Sequence, residues 1–156
     1  MKCYKHILLA VDFSEDTDCL VKRVSEMELL DDTNISIVHI LDSIPMPDVS
    51  YGTIIALDDE TDNTLLEQEK VKLNEIGKFL NVPENQRWLI WGSPKEEICA
   101  LAEQEKVDLI IVGSHGRHGL ALLLGSTAND VLHHAPCDVL AVRLKHAHKI
   151  LGEQNV

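Results

Sequence analysis

Aromatic and basic side chains are scarce in this chain. Phe, Trp and Tyr make up 4% of the residues, too few for the stacking platforms on which proteins bind single-stranded nucleic acids. The 14 Lys and Arg residues are outnumbered by 26 Asp and Glu, which gives a formal net charge of −12. Nucleic acids and anionic membranes are bound by clustered Lys and Arg. We therefore expect neither a nucleic-acid nor a membrane partner.

Long apolar runs and cysteine motifs are also missing. No run approaches the ~20 residues that a membrane span needs. The first residues lead directly into a strand-like segment, so we expect no signal peptide. The four cysteines are scattered, without a C-x-x-C pair or a zinc-type spacing. These features predict a cytoplasmic protein with reduced thiols and no metal site.

Two hydrophobic patterns alternate along the chain. Short runs of branched residues predict strands, and the runs at 7–11 and 109–112 are unbroken, as in parallel strands covered on both faces. Helical segments separate the runs, so we predict an α/β fold with a five-stranded parallel sheet between helices. We expect one domain over 1–144, a polar tail over 145–156 and a long surface loop over 42–60. The strands are predicted at 6–11, 35–40, 87–92, 107–112 and 138–144.

Capping residues and proline predict where the helices begin and end. The first helix is expected to begin near Ser14, a good N-cap, and the second to cover about 61–80. Ser93-Pro94-Lys95-Glu96 predicts a third helix that opens with a capping box. The last helix is expected to begin near Gly125-Ser126 and to stop before Pro136, because proline cannot continue the helical hydrogen bonds.

Half of the glycines cluster in one segment. Four of the eight, at 113, 116, 119 and 125, fall within 13 residues. Glycines let a backbone approach a bulky anion, and the amides of the helix beginning near Ser126 would complete a phosphate site. The alternative is that these glycines only shape a tight turn and cap a helix, and clustering alone leaves both open. The segment is neither a Walker loop nor a G-x-G-x-x-G dinucleotide fingerprint.

Several motifs resemble the universal stress protein family. They are Val11-Asp12-x-Ser14, Val38-His39-Ile40, Gly113-Ser114-His115-Gly116, Leu123-Leu124-Gly125-Ser126 and the stretch from His134 to Leu140. The resemblance extends from about Lys5 to Leu144, nearly the whole chain. It implies a five-stranded parallel sheet of strand order 3-2-1-4-5 between helices.

The resemblance also implies an ATP site, because many family members bind ATP through a Gly-x2-Gly-x9-Gly-Ser/Thr motif. We expect ATP with Mg²⁺ as the cofactor. The phosphates would be lined by Gly113, Gly116, Gly125 and Ser126, with the Thr127 amide and the positive charge of Arg117 beside them; His115 and His118 are further candidates. Asp12 and the backbone of Ile40 would hold the adenine and ribose, with Ala10 and Val11 packed nearby.

The glycine spacing departs from the family motif at one point. Eight residues, Arg117 to Leu124, separate the last two motif glycines, where the family has nine. One residue corresponds to ~3 Å of chain, about the length of a hydrogen bond. Some family members lack the motif and bind no nucleotide, so a nucleotide-independent protein is the alternative.

No catalytic set is visible in the sequence, so we predict no catalytic residues. The favoured function is a stress-response or signalling module whose ATP occupancy modulates the binding of an unidentified protein partner. The alternatives are a nucleotide-independent homodimer that acts through protein contacts, and a slow ATPase or autophosphorylating protein. The apolar last strand, Val139 to Leu144, predicts a homodimer, since an open sheet edge invites pairing. His39 is interpreted as a core or interface histidine with satisfied hydrogen bonds rather than as a ligand.

Overall fold

The computed structural model describes residues 3–42, 49–58, 63–114 and 125–144. None of the helices in these ranges is long and apolar enough to cross a membrane. In chain order the described strands and α-helices are β1 (His6–Val11), α1 (Thr17–Ser25), β2 (Asn34–Leu41), β3 (Thr53–Ile54), α2 (Thr64–Phe79), β4 (Arg87–Trp91), α3 (Pro94–Gln104), β5 (Leu109–Gly113), α4 (Ser126–His134) and β6 (Asp138–Val142).

The strands form one sheet in the order β3-β4-β2-β1-β5-β6. Five of them, β4-β2-β1-β5-β6, run parallel, which confirms the predicted α/β fold and reproduces the order 3-2-1-4-5 when only parallel strands are numbered. The predicted strand count is wrong by one. The two-residue β3 pairs antiparallel with β4, inside the segment expected to be a loop. Two residues are too few for an alternating pattern to reveal a strand.

Each face of the sheet is covered by a pair of helices. This explains why the central strands are apolar without a break, since side chains on both faces are buried. On one face α1 and α2 pack through Leu20, Val24, Leu66 and Leu73 against strand residues that include Leu9, Ile37, Leu89 and Ile111. On the other face α3 and α4 pack through Ile98, Leu101, Ala128 and Val131 against Leu8, Val38, Ile110 and Val112.

The first helix begins later than its capping signal predicted. Ser14 is not its N-cap: α1 starts at Thr17, and the Ser14 carbonyl instead accepts a hydrogen bond of 3.1 Å from the Thr17 amide. The residues between β1 and α1 form a turn, in which the Asp12 side chain accepts a hydrogen bond of 3.0 Å from the Ser14 amide. A local side-chain bond of this kind competes with helix formation.

The other helix starts lie close to their predicted positions. α2 begins at Thr64, where the Asn63 side chain accepts from the amides of Leu65 and Leu66. α3 begins at Pro94, as predicted, although the Ser93 hydroxyl makes no capping bond. α4 covers Ser126–His134 and ends before Pro136, as predicted. The predicted polar tail, 145–156, lies outside the described residues, and the single-domain boundary at 144 stays a prediction.

Candidate functional site

The carboxyl ends of β1 and β5 meet where the strand order of the sheet reverses. The two strands pair in parallel with Leu9 opposite Ile111, and continuing this register by two residues sets Val11 opposite Gly113. The next strand beyond β1 is β2 on one side of this pair, and the next strand beyond β5 is β6 on the other side. Open α/β sheets bind ligands at such a switch point. The turn after β1 and the start of the glycine segment therefore share one edge.

The turn after β1 holds Asp12 in a defined orientation. Asp12 Oδ1 accepts from the Ser14 amide at 3.0 Å and lies 3.4 Å from the Thr17 hydroxyl. Phe13 adopts a φ of +56°, a conformation that bulky residues rarely take. Val11 is buried and Ala10 is half-buried beside it. The turn therefore has a defined conformation, in which local hydrogen bonds fix the Asp12 carboxylate.

The backbone of Ile40 lies beside the turn after β1. The Leu41 carbonyl accepts a hydrogen bond from the Gly92 amide at 3.1 Å, so the Leu41 backbone faces β4. Because backbone groups alternate along a strand, the Ile40 backbone faces β1, whose last residue, Val11, is paired with His39. The Ile40 carbonyl therefore points past the end of β1, beside the turn.

The two ends of the glycine segment are tied together. The Ser114 amide donates to the Val142 carbonyl at 2.8 Å, and the Gly125 amide donates to the Ser114 carbonyl at 2.5 Å. The chain therefore leaves β5 and enters α4 at one place, which brings together the predicted residues Gly113, Gly125, Ser126 and Thr127. The predicted residues Gly116 and Arg117, like His115 and His118, lie outside the described residues.

The N-terminus of α4 presents amides at this place. Its N-cap is Gly125, no side chain caps the helix, and its first turn contains no acidic residue. The amides of Ser126 and Thr127 lie within the first turn, where amides have no partner within the helix, and the helix dipole makes this end electropositive. Within the part of the chain that the structure describes, the Ser114 hydroxyl, 9% exposed, makes no hydrogen bond. A buried hydroxyl of this kind, beside amides that have no partner within the helix, is suited to an anionic ligand.

Three residues of this edge were missed as site residues. Phe13 carries no sequence signal, because its conformation is set by tertiary contacts. Ser114 belongs to one of the family motifs, but the motif does not predict a role for its hydroxyl. His39 is the core histidine that was predicted: it is 2% exposed and its Nδ1 donates to the Val11 carbonyl at 2.8 Å. Its position one strand away from Asp12 follows only from the register of the sheet.

Groups for metal binding or nucleophilic catalysis are not assembled in the described parts of the chain. There, no three His, Cys, Asp or Glu side chains come together in a way that could hold a metal ion. Burial raises the pKa of the Cys99 thiol, and burial followed by the charge of Asp108 raises that of Cys137. A raised pKa leaves less of the reactive thiolate. The described residues of the edge include amides and a hydroxyl suited to an anion, but no activated nucleophile.

Comparison with known proteins gives consistent matches. A family model described as the universal stress protein family matches residues 3–143. Universal stress protein A homolog 2 of Coxiella burnetii is 42% identical over 146 residues, which cover 93% of this chain and 99% of that protein. Universal stress protein MJ0577 of Methanocaldococcus jannaschii is 31% identical over 159 residues, which cover 92% of this chain and 98% of that protein.

Solved structures show the same similarity. The structure of MJ0577, published as a structure-based assignment of biochemical function, superposes with a TM-score of 0.73 and covers 94% of this chain and 100% of its own. A universal stress protein in complex with cAMP superposes with a TM-score of 0.58 at 22% identity, covering 90% of this chain and 98% of its own. At that identity the second match supports the fold alone.

Proposed function

Because the chain belongs to the universal stress protein family, we propose that it is an ATP-binding stress-response module whose nucleotide occupancy changes the binding of a protein partner. The observation that carries the proposal is the junction of Ser114 and Gly125, where a buried hydroxyl without a partner lies at the uncapped N-terminus of α4. Such a junction is suited to phosphate oxygens, which accept several hydrogen bonds at once.

The phosphate end of the proposed site is built from backbone. The amides of Ser126 and Thr127 and the Ser114 hydroxyl would donate to phosphate oxygens, and the absence of a Cβ at Gly113 and Gly125 leaves room for them. Both glycines are anchored, one in β5 and the other by its bond to Ser114, so a shortened spacer between them leaves these anchors in place. Gly116 and Arg117 would complete this end. Mg²⁺ would arrive with the phosphates.

The nucleoside end would lie at the turn after β1. Asp12, oriented by the Ser14 amide, would accept from ribose hydroxyls, and the Ile40 carbonyl would accept from the adenine amino group. Ala10 and Val11 would pack beside the base.

Binding, rather than turnover, is the proposed role. The described residues contain no group of three His, Cys, Asp or Glu side chains that could hold a catalytic metal ion. We expect steady-state phosphate release from MgATP well below the ~10 s⁻¹ median of enzymes. Release at or above that rate would overturn the binding role and indicate an efficient ATPase. A cytoplasmic location stays a prediction.

A homodimer through β6 is the proposed assembly. β6 is the outermost strand of the sheet in the described ranges, and Leu140 on it is 38% exposed. The Val142 carbonyl accepts from Ser114, so the Val142 backbone faces β5 and the Ala141 backbone faces outward. Ala141→Pro removes an outward donor while keeping the β5 pairing, and we expect it to convert the dimer to monomers in analytical ultracentrifugation. A wild-type protein that sediments as a monomer at ~10 µM, where specific dimers persist, would contradict the assembly.

Nucleotide released on denaturation tests the proposed function. Protein purified without added nucleotide is denatured, and the supernatant is separated by anion-exchange chromatography. ATP or AMP in amounts comparable to the protein would support the proposal. If none is released, equilibrium binding of MgATP decides, and failure to bind leaves the nucleotide-independent homodimer as the function.

A further inference from the structure

We propose that His39 is a positioning residue of the nucleotide site: together with Glu69 it fixes the turn formed by Val11, Asp12 and Phe13 and connects that turn to α2. This inference rests on the proposed function. It assigns a role to a buried ionisable pair that the binding contacts themselves do not use.

The His39 ring is bonded to the backbone directly before Asp12. His39 is 2% exposed, and its Nδ1 lies 2.8 Å from the Val11 carbonyl oxygen. A carbonyl only accepts hydrogen bonds, so Nδ1 carries the proton. The bond fixes the last peptide of β1, from which the Asp12 side chain projects.

The same ring supports the strained residue of the turn. The Phe13 and His39 ring centroids lie 4.0 Å apart, with 34° between the ring planes. Phe13 has a φ of +56°, a conformation that is unfavourable for a bulky residue and persists only where neighbours hold it. The His39 ring is one such neighbour, since it contacts Phe13 while bonded to Val11.

α2 holds the ring from the other side. Glu69 Oε2 lies 3.2 Å from His39 Nε2, and Glu69 Oε1 lies 3.8 Å from Lys72 Nζ. The Lys72 ammonium lies 5.6 Å from the centre of the Phe13 ring. Because Nδ1 is bonded to the Val11 carbonyl, Nε2 is the ring atom that faces the Glu69 carboxylate. α2 therefore contacts the turn directly through Lys72, and indirectly through Glu69 by way of His39.

His6 provides a matched control at the opposite end of β1. It is also bonded through both ring nitrogens, 3.1 Å from the Glu105 carbonyl and 2.7 Å from the Ser36 hydroxyl. It lies at the amino ends of the strands, away from the turn. His6→Leu and His39→Leu each remove an imidazole whose two ring nitrogens both contact polar groups, so a difference between them reports on position rather than on general stability.

The experiment measures two quantities in wild type, His39→Leu and His6→Leu. Calorimetry gives the MgATP dissociation constant, and the three-bond HN–Hα coupling of Phe13 in NMR reports its φ. We expect His39→Leu to weaken ATP binding about tenfold, the equivalent of about one hydrogen bond, and to change the coupling. His6→Leu should leave both quantities as in wild type. His39→Asn, which keeps a donor near the Nδ1 position, should recover part of the affinity.

Two results would overturn the positioning role: an unchanged ATP affinity in His39→Leu, or equal losses in His39→Leu and His6→Leu. If wild type itself binds no ATP, the proposed function fails, and the Phe13 coupling alone decides the positioning role. If His39→Leu does not fold, Glu69→Leu replaces it, with Glu69→Gln as the control that keeps a donor to Nε2. Glu69→Leu is then expected to weaken binding and Glu69→Gln to preserve it; equal affinities would overturn the role.

Discussion

The two ends of the parallel sheet are built differently. At the amino ends of the strands, side chains saturate the backbone: Asp108 accepts from the amides of Lys5 at 2.8 Å and His6 at 3.0 Å. The Tyr4 hydroxyl donates to Asp138 at 2.9 Å, and the Ser36 hydroxyl lies 2.7 Å from His6 Nε2. These bonds connect β1 to β2, β5 and β6, so this end is a closed polar network.

At the carboxyl ends of the strands, the described residues leave polar groups without partners. In these ranges the buried Ser114 hydroxyl has no partner and α4 begins without a side-chain cap, and Phe13 is held at a positive φ. Unsatisfied groups and backbone strain of this kind concentrate where proteins bind ligands. Under the proposed function, the amino end of the sheet contributes stability and the carboxyl end binds the ligand.

The largest expected effect is at Gly125. Its backbone conformation, φ −58° and ψ 152°, suits any residue, so Gly125→Val adds side-chain atoms without backbone strain. Bound ATP at 100 times its dissociation constant should stabilise wild type by about 2.7 kcal/mol, and Gly125→Val should abolish that gain. Thermal unfolding with and without MgATP measures it. The control is Ala135→Val at the other end of α4, where φ is −64° and ψ 143°, and it should retain the gain. Retention of the gain in Gly125→Val would place the phosphates elsewhere.

The next prediction compares two aspartates, Asp108 at the amino ends of the strands and Asp12 at the carboxyl ends. Asp108→Ala removes the acceptor of two backbone amides and should lower the free energy of unfolding by about 3 kcal/mol, with ATP affinity unchanged. Asp12→Ala removes the acceptor of the Ser14 amide and of the Thr17 hydroxyl and should cost about 1.5 kcal/mol, while ATP affinity falls about tenfold. Urea unfolding and calorimetry measure the two quantities. If Asp12→Ala left ATP affinity unchanged, Asp12 would have no role in binding.

The smallest expected effect compares two buried serines. Ser36→Ala leaves His6 Nε2 without its partner and should destabilise the apo protein by about 1 kcal/mol. Ser114→Ala removes a hydroxyl that has no partner, so the apo protein should be unchanged or slightly more stable, with weaker ATP binding. Urea unfolding without nucleotide distinguishes the variants. A clear loss of apo stability in Ser114→Ala would mean that this end is as closed as the other.

Much of the fold could be predicted because local signals and packing agree. Unbroken apolar runs predicted the central strands, and Pro94 and Pro136 marked the start of α3 and the end of α4. β3 escaped prediction because its pairing is fixed by backbone bonds of the flanking residues, from the Gly52 amide to the Trp91 carbonyl and from the Ile55 amide to the Leu89 carbonyl, each 2.7 Å. The start of α1 was placed too early because a capping residue also suits a turn.

The candidate site was predicted from motifs rather than from local physics. Glycine clustering alone left a phosphate site and a simple turn as alternatives. What favours the first is tertiary: the bond between Gly125 and Ser114, the unpaired Ser114 hydroxyl and the strained Phe13. These features depend on residues far apart in the chain, so no sequence window contains them. The contacts of His39 with Val11 and Glu69 could not be predicted for the same reason.

Calorimetric titration of nucleotide-free protein with MgATP tests most directly whether the carboxyl end of the sheet is a nucleotide site. The structure-based account predicts saturable binding of about one ATP per chain, with a rise in melting temperature that Gly125→Val abolishes. The absence of both heat and melting shift at about 1 mM MgATP, a concentration that detects even weak sites, would contradict it.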